Sequence, residues 1–462
     1  MAIQIFEQAN TLNEQGKYQE ALELYDQVLT QNHYNPHLLA AMGTILAREQ
    51  KTMGMALMML HLAIDKMPKG QKVPQEFYAN LALAYRQSGQ TEEAIKYLEI
   101  ALKIEKTPLV LTNYGNFFVE QGNPQKAIEI LSEAITLDPS VDLTHYNMSL
   151  ALLETGQWDR AWDEYEYGEV PGGMRAARDY GGKEKWRGPV VEPDKRVCIY
   201  GEQGLGDEIM FASMIPDVLK TNDVIFDCHP RLQTLFEKSF PGLKCYPTRK
   251  DSELFWPDAE PFDRRFAIGS LGKWYRRSKE SFPGTPYLKA DPLLPKGEKL
   301  RVGISWTGGR SSQRIARRTV PLSWWESILN NDCEFVSLQY TDCEAEIKMV
   351  EERQGFTIKQ FSEAKDIEYY KTAQLVASCD LVITVCTSIV HLAGSLGVPT
   401  WVMTPKKPAW RYQASGPMPW YKSVRLYRQP AHEDSAWVPV VQRVGLDLSD
   451  YVSAQSKQRK VA

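Results

Sequence analysis

The stretch RVCIYGEQGLGDEIMFASMIP, residues 196–216, decides how the larger part of this chain folds. Val197-Cys198-Ile199-Tyr200 is a short apolar run and reads as a buried strand. Gly201, Gly204 and Gly206 then turn the chain where no Cβ interferes. Beyond Asp207 the apolar Ile209, Met210, Met214 and Ile215 recur at helical spacing, until Pro216 kinks or ends the helix. A strand, a glycine turn and a helix make the opening βα unit of a nucleotide-binding α/β domain. The turn has neither GxGxxG spacing nor the Lys-Ser/Thr pair of a phosphate loop. Asp207 falls at the carboxyl end of the strand, where open α/β sheets bind ligands. A carboxylate there can take a proton from a substrate hydroxyl. It can equally do no more than cap the helix.

Working outward, Val224–Asp227 reads as the next strand, His229–Phe240 as a short helix and Cys245–Pro247 as a third strand. Phe266–Leu271 is a further strand or a turn. It leads into Lys273, Arg276, Arg277 and Lys279, a solvated face or a greeting for an anionic substrate. Phe282–Lys299, rich in Pro and Gly, bridges to a second half that opens like the first. There Arg301–Trp306 is a strand and Thr307-Gly308-Gly309 a turn. Helices are expected at Pro321–Leu329, Ala345–Gln354 and Tyr369–Ala377, and strands at Phe335–Gln339, Leu381–Val385 and Thr400–Met403. Strands alternating with helices imply mostly parallel sheets, and two such halves enclose a cleft.

The first 170 residues repeat. Ala21, Ala56, Ala94, Ala127 and Ala161 stand 35, 38, 33 and 34 residues apart. Gly16, Gly89, Gly122 and Gly156 lie five residues before four of them. Small residues (Ala9, Thr44, Ala82, Gly115, Ser149) lie twelve before each, and Val28, Ala63, Ala101, Ala134 and Gly168 seven after. The longest interval absorbs a loop at Lys69–Pro74. This pattern is similar to the tetratricopeptide repeat, a helix–turn–helix of about 34 residues whose copies stack into a solenoid. Such a surface recruits a protein partner or a second copy of itself, or braces the remainder of the chain.

A chain of 462 residues suggests about three domains, and 43% hydrophobic with 24% charged residues is ordinary for a globular protein. A net charge of −4 gives no general attraction to nucleic acid or anionic membrane. No apolar run approaches a bilayer span, and the N-terminus lacks the basic start and apolar core of a signal peptide. The seven cysteines are scattered and never spaced as CxxC, which points to reduced thiols in the cytoplasm and away from zinc.

The turn Cys386-Thr387-Ser388, between a buried strand and the helix around His391, offers backbone N–H groups and hydroxyls to an anion such as a diphosphate. The plainer reading makes Thr387 or Ser388 an N-cap and His391 a core residue. Arg310, Arg314, Arg317 and Arg318 flank the first turn of the same half; they suit phosphate oxygens or are merely solvated. No paired carboxylates suggest a metal, so protein cations would have to stabilise a leaving diphosphate.

Taken in order, YGEQGLGDEIMFASMIP, VGISWTGG, RRTVPL, SLQ, DLVITVCTSIVHLAGSLGVPTWV, AWRY, PWY and RLYRQ resemble the transferase part of bacterial tetratricopeptide-repeat glycosyltransferases. That part is similar to the lipopolysaccharide heptosyltransferases, and the layout resembles O-linked N-acetylglucosamine transferase. The resemblance implies a GT-B fold: an α + α/β chain with an all-α TPR solenoid followed by two Rossmann-like α/β domains. It implies Asp207 as the general base, and donor binding by Trp306, Thr307, Gly308, Arg318, Gln339, Thr387, Ser388 and His391, with Gly204 and Gly206 forming the turn. One position departs. The family's aspartate before the threonine is Cys386 here, so a contact to the donor sugar is missing or replaced.

The expected domains are a TPR solenoid at 1–170, a linker at 171–195, an acceptor-side half at 196–290, a nucleotide-sugar half at 298–448 and a polar tail at 449–462. The expected activity is inverting, metal-independent transfer from a nucleoside-diphosphate sugar to a hydroxyl of a protein, glycan or small molecule. No cofactor beyond that donor and no nucleic acid are expected. The alternative is a TPR binding or scaffold protein with an inactive GT-B domain.

Overall fold

The computed structural model describes residues 2–31, 35–170, 173–249, 254, 256–309, 312–431 and 433–461. They form two compact units, Met1–Met148 and Ser149–Ala462.

The first unit is helical: α1 (Ala2–Glu14), α2 (Tyr18–Gln31), α3 (Pro36–Leu46), α4 (Met53–Asp65), α5 (Gln75–Gln87), α6 (Thr91–Ile104), α7 (Pro108–Glu120), α8 (Pro124–Leu137) and the start of α9 (Asp142–Thr155). The repeat alanines Ala21, Ala56, Ala94 and Ala127 have no exposed surface. Gly16, Gly89 and Gly122 end the first helix of their pairs at φ of 78°, 83° and 75°, a conformation that a Cβ strains. Gly115 lets α7 and α8 touch, since a Cβ there would stand 2.5 Å from Leu131 Cγ. The second repeat departs by one residue. Gly43, not Thr44, makes the close approach, with its Cβ position 2.8 Å from Leu60 Cγ. Thr44 is half-buried and donates to the Ala40 carbonyl at 2.7 Å. The cause is the 3₁₀ turn Gln50–Thr52, which lengthens the α3–α4 connection. The expected extra loop lies between α4 and α5. Successive small cores, one around Ala9, Tyr25 and Leu38, the next around Met53, Leu60 and Leu81, and another around Ala82, Leu98 and Phe117, carry stability from neighbour to neighbour.

The expected solenoid boundary at 170 moves to 148. Helix α10 (Trp158–Tyr165) carries the fifth alanine, Ala161, yet belongs to the second unit, because its tryptophans are buried there. Trp162 packs on Trp410 and Phe211, with ring centroids 6.1 and 6.5 Å away, and its indole donates to the Arg276 carbonyl at 2.7 Å. Trp158 lies 4.8 Å from Phe282.

The second unit holds three parallel sheets. A two-stranded ribbon pairs β1 (Glu169–Val170) with β2 (Arg175–Ala176). The next sheet contains β3 (Val197–Tyr200), β4 (Val224–Asp227), β5 (Lys244–Tyr246) and β6 (Arg264–Ala267) in the order β5-β4-β3-β6. Its helices are α11 (Leu205–Phe211), α12 (Ile215–Val218), α13 (Gln233–Ser239) and α14 (Gly272–Tyr275). The largest sheet contains β7 (Leu300–Ser305), β8 (Cys333–Ser337), β9 (Ile358–Lys359), β10 (Leu381–Val385), β11 (Thr400–Thr404) and β12 (Val424–Arg428). Helices α15 (Ser312–Arg318), α16 (Glu326–Leu329), α17 (Glu344–Gln354), α18 (Tyr369–Ala377), α19 (Ser388–Leu396) and α20 (Val438–Val461) accompany it. Its order, β12-β11-β10-β7-β8-β9, is the doubly wound 3-2-1-4-5-6 order read from the far edge. Every residue of β7 and β10 is buried, as expected of parallel strands covered on both faces.

Three expectations are corrected. The linker at 171–195 is not free: Arg175, Tyr180 and Trp186 are buried, and the Trp186 N–H donates to the Arg265 carbonyl at 3.0 Å. The expected tail at 449–462 continues α20 as far as Val461, since Val441, Val444 and Leu448 are buried and Tyr451 and Val452 pack beside them. The cations of residues 273–279 are mostly tied to carboxylates. Arg276 meets Asp217 at 2.9 Å, and Arg277 and Lys273 meet Asp163 at 3.0 and 3.3 Å. The bridge at Phe282–Lys299 does join the two larger sheets: the Tyr287 N–H donates to Ser395 O at 2.9 Å, and the Lys289 N–H to Ser239 Oγ at 3.0 Å. No helix among the described residues is long and apolar enough to cross a membrane.

Candidate functional site

The order of the six-stranded sheet reverses between β7 and β10. The crevice outside their carboxyl ends is where such sheets take a ligand. Two turns emerge there, Thr307–Gly309 after β7 and Cys386–Thr387 after β10. They touch: a Cβ on Gly308 would stand 2.5 Å from Thr387 Cγ2. The first helix of the other large sheet closes on the same place. A Cβ on Gly206 would lie 3.2 Å from Ser388 Cα and 2.9 Å from His391 Cδ2. The structure thus gathers Gly204, Gly206, Asp207, Thr307, Gly308, Thr387, Ser388 and His391 into one region, although the first three are about a hundred residues or more from the others in sequence.

Asp207 opens into this region from the first turn of α11. Its Oδ2 accepts the Gly204 N–H at 3.2 Å, which is the capping role. Its Oδ1 is ion-paired with Arg411 Nη2. Arg411 follows β11 on the 3₁₀ turn Trp410–Tyr412, with its guanidinium 5.2 Å from the Trp410 ring centre. The stretch AWRY at 409–412 carries part of the resemblance, but its pattern alone gives Arg411 no role.

The turn before Asp207 is strained and clamped. Gln203 has φ of 60°, costly for a residue with a Cβ. Arg249 bonds the Gln203 carbonyl and meets the Glu208 carboxylate, which also accepts the His229 N–H at 2.7 Å. Burial pushes the Glu208 carboxyl up to about 7 against the pull of Arg249. Glu202 is equally structural, held by Arg175 at 2.6 and 2.7 Å.

On the other side, Thr387 caps α19 by accepting the Ile389 N–H at 3.2 Å. Ser388 Oγ and the Tyr369 hydroxyl lie 2.8 Å apart. His391 is a core residue. It is 3% exposed with Nδ1 3.3 Å from the Tyr421 hydroxyl, and burial, helped by Arg318, drives it down to about 3. A neutral imidazole brings no charge to a diphosphate. The Trp306 ring also turns away from the turns; it is fully buried and donates to Glu346 at 2.7 Å. Gln339, fully buried, positions the β7 turn: its amide donates to the Thr307 carbonyl at 3.0 Å, and its oxygen accepts from Ser305 Oγ at 3.1 Å.

Arg318 ends helix α15 rather than lying in a loop. It is half-buried, and its Nη1 donates to the Cys386 carbonyl at 3.4 Å. Arg310 and the side chain of Arg314 lie outside the described residues. Cys386 is buried beside the Tyr412 hydroxyl, near Arg318 and Arg428; burial pushes its thiol up to about 11. Arg428 donates to the carbonyls of Tyr412 and Gln413 at 2.7 and 3.0 Å. The region is therefore rich in guanidinium groups, with Asp207 paired to Arg411 and Glu154 near Arg428. A cavity of about 490 Å³ opens elsewhere in the unit, between Trp186, Phe266, Trp274 and Lys185, and none of the expected site residues lines it.

Residues 79–142 and 9–30 match the Tetratricopeptide repeat family, so the N-terminal region is built of these repeats. The chain is 28% identical over 438 residues to Protein FlbA of Caulobacter vibrioides, covering 81% of this chain and 73% of that protein. Among solved structures, TTC0263, a thermophilic TPR protein of Thermus thermophilus, is 20% identical over 36% of this chain and 89% of its own, with a TM-score of 0.32. MamA is 19% identical over 34% of this chain and 91% of its own, with a TM-score of 0.29.

Proposed function

We propose that this chain is a tetratricopeptide-repeat binding protein whose α/β unit recognises a nucleoside diphosphate. The observation that carries the partner-binding half is a recurrence on the solenoid surface. Ile104 and Leu137 end α6 and α8 and are 47% and 51% exposed. Leu109 and Leu143 are the second residues of α7 and α9 and are 56% and 42% exposed. Apolar groups exposed at the repeat period suit a protein partner laid along the repeats. The nucleotide half is supported by the crevice at the sheet reversal, with Arg318, Thr387 and Ser388 around it.

The test uses the full chain. A photo-crosslinking residue at Leu109 or Leu143 is expected to capture one protein in cells, and Leu109→Asp with Leu143→Asp to abolish that capture. Crosslinking at an exposed α/β position such as Val190, with none at the leucines, would overturn the assignment. Calorimetry with UDP, GDP, ADP and dTDP in EDTA tests the nucleotide half; no binding by any of them rejects it.

A second reading, inverting metal-independent glycosyl transfer in a GT-B fold, is favoured by the place of Asp207 directly after Gly206, which packs against Ser388. In it the acceptor hydroxyl attacks the anomeric carbon while Asp207 takes its proton, and Arg318 and the α19 N-terminus stabilise the leaving diphosphate. Both oxygens of Asp207 are engaged in this structure and Cys386 brings no carboxylate, so binding is the leading reading. Labelled sugar passing from a nucleotide donor to a captured partner would reverse that order.

A further inference from the structure

We propose that Asp207 is an internal stand-in for a phosphate group on Arg411. A diphosphate entering the crevice takes the guanidinium and uncovers the carboxylate. This rests on reading the β7–β10 crevice as a nucleotide-phosphate site.

Three observations carry it. First, the ion pair joins elements 204 residues apart in sequence, α11 beside one sheet and the turn after β11 of another. Each side chain is 17% exposed, so the pair is neither sealed nor fully solvated. Second, Arg411 does not stand alone. Its chain neighbour Tyr412, on the same 3₁₀ turn, lies beside Cys386, whose carbonyl accepts from Arg318 Nη1. Among the described residues Arg318 pairs with no carboxylate, and its bond to the Cys386 carbonyl is long at 3.4 Å. Arg318 thus adds a guanidinium that Asp207 does not pair with, and a diphosphate can take both it and Arg411. Guanidinium also binds phosphate oxygens two at a time.

Third, Asp207 need not move for the exchange. Its second oxygen stays on the Gly204 N–H at 3.2 Å. The long arginine side chain swings, and Oδ1 is left facing the crevice. Binding the anion and uncovering the carboxylate are therefore one event. The empty protein hides its carboxylate, and the internal pair subtracts from anion affinity by the fraction of time it is closed.

The test is calorimetric titration of the full chain with inorganic pyrophosphate, then UDP, in EDTA. Asp207→Asn keeps the capping group and removes the competitor, and is expected to bind pyrophosphate about tenfold more tightly than the wild type. Arg411→Gln is expected to bind about tenfold more weakly. Arg411→Lys, which keeps the charge, should fall between and guards against a folding defect. If Arg318→Gln weakens binding but Asp207→Asn and Arg411→Gln do not change it, the crevice is an anion site and the exchange is wrong. If neither the wild type nor Asp207→Asn binds pyrophosphate or UDP, both the exchange and the site reading fall.

Discussion

Gly206 and His391 meet edge to edge: a Cβ on the glycine would stand 2.9 Å from the ring's Cδ2, with Ser388 Cα behind it at 3.2 Å. This contact holds α11 against α19, and so places Asp207 beside the β10 turn. The imidazole is itself fixed by packing under Tyr421, so it has little room to yield.

Gly206→Val is therefore expected to destabilise the α/β unit by about 1–3 kcal/mol through overpacking. It should also weaken pyrophosphate binding, because the two turns are pushed apart. Thermal melts beside calorimetry check this. Unchanged stability and affinity would show that the two helices separate freely.

Arg175 and Glu202 form a buried two-point pair under the same turn, with Ser270 and the Gly269 N–H completing the bonds at 2.7 and 2.8 Å. Removing Glu202 leaves the buried Arg175 charge with only the more distant Glu166 carboxylate, 3.6 Å away. Glu202→Gln is expected to cost about 3–5 kcal/mol in urea unfolding, while replacing both residues with apolar ones should cost less. A single substitution as mild as the double would mean that water reaches the pair.

Glu208 supplies a pH dependence. Its folded value of about 7 lies above its ordinary 4.5, because burial disfavours the charged form. The folded protein then holds more protons than the unfolded chain between these values, so stability falls as pH rises from about 4.5 to 7. The contribution is complete below 4.5 and amounts to about 3 kcal/mol at most. Glu208→Gln is expected to flatten this stretch of the stability-against-pH curve. An unaltered slope would assign the dependence elsewhere.

The repeats and the βα units were legible because each rests on local periodicity. Ala21, Ala94 and Gly115 mark close helix contacts, and Leu381–Val385, short, apolar and rich in β-branched residues, has the pattern of a covered strand. Helix α20 is absent from the sequence reading altogether, because its buried Val441, Val444 and Leu448 and half-buried Tyr451 thin out into polar sequence while keeping the helical spacing. The site was legible as a place and not as a set of contacts. Asp207, Thr387 and Ser388 are where the turns put them. Whether His391 and Trp306 point to a ligand or into the core depends on Tyr421 and Glu346, which local pattern does not connect to them. Arg411 was missed for the same reason: its partner is Asp207, 204 residues away.

Cys386 separates the two readings of the α/β unit. Its buried thiol sits beside the Tyr412 hydroxyl and close to two guanidiniums, Arg318 and Arg428. Cys386→Asp places a carboxylate where those cations and the hydroxyl can stabilise its charge, so the variant is expected to fold. The new charge draws Arg318 away from the crevice, and pyrophosphate should bind about tenfold more weakly, the effect of one lost charge-assisted contact. The binding-protein reading predicts that loss and nothing more. The transferase reading predicts, in addition, that sugar transfer from a nucleotide donor appears or rises, because the carboxylate restores a contact to the donor sugar. Calorimetry and a labelled-donor assay on the same preparation separate them. Weaker anion binding with no transfer supports the binding protein; transfer by the variant, at any donor the wild type leaves untouched, establishes a transferase disabled at one position.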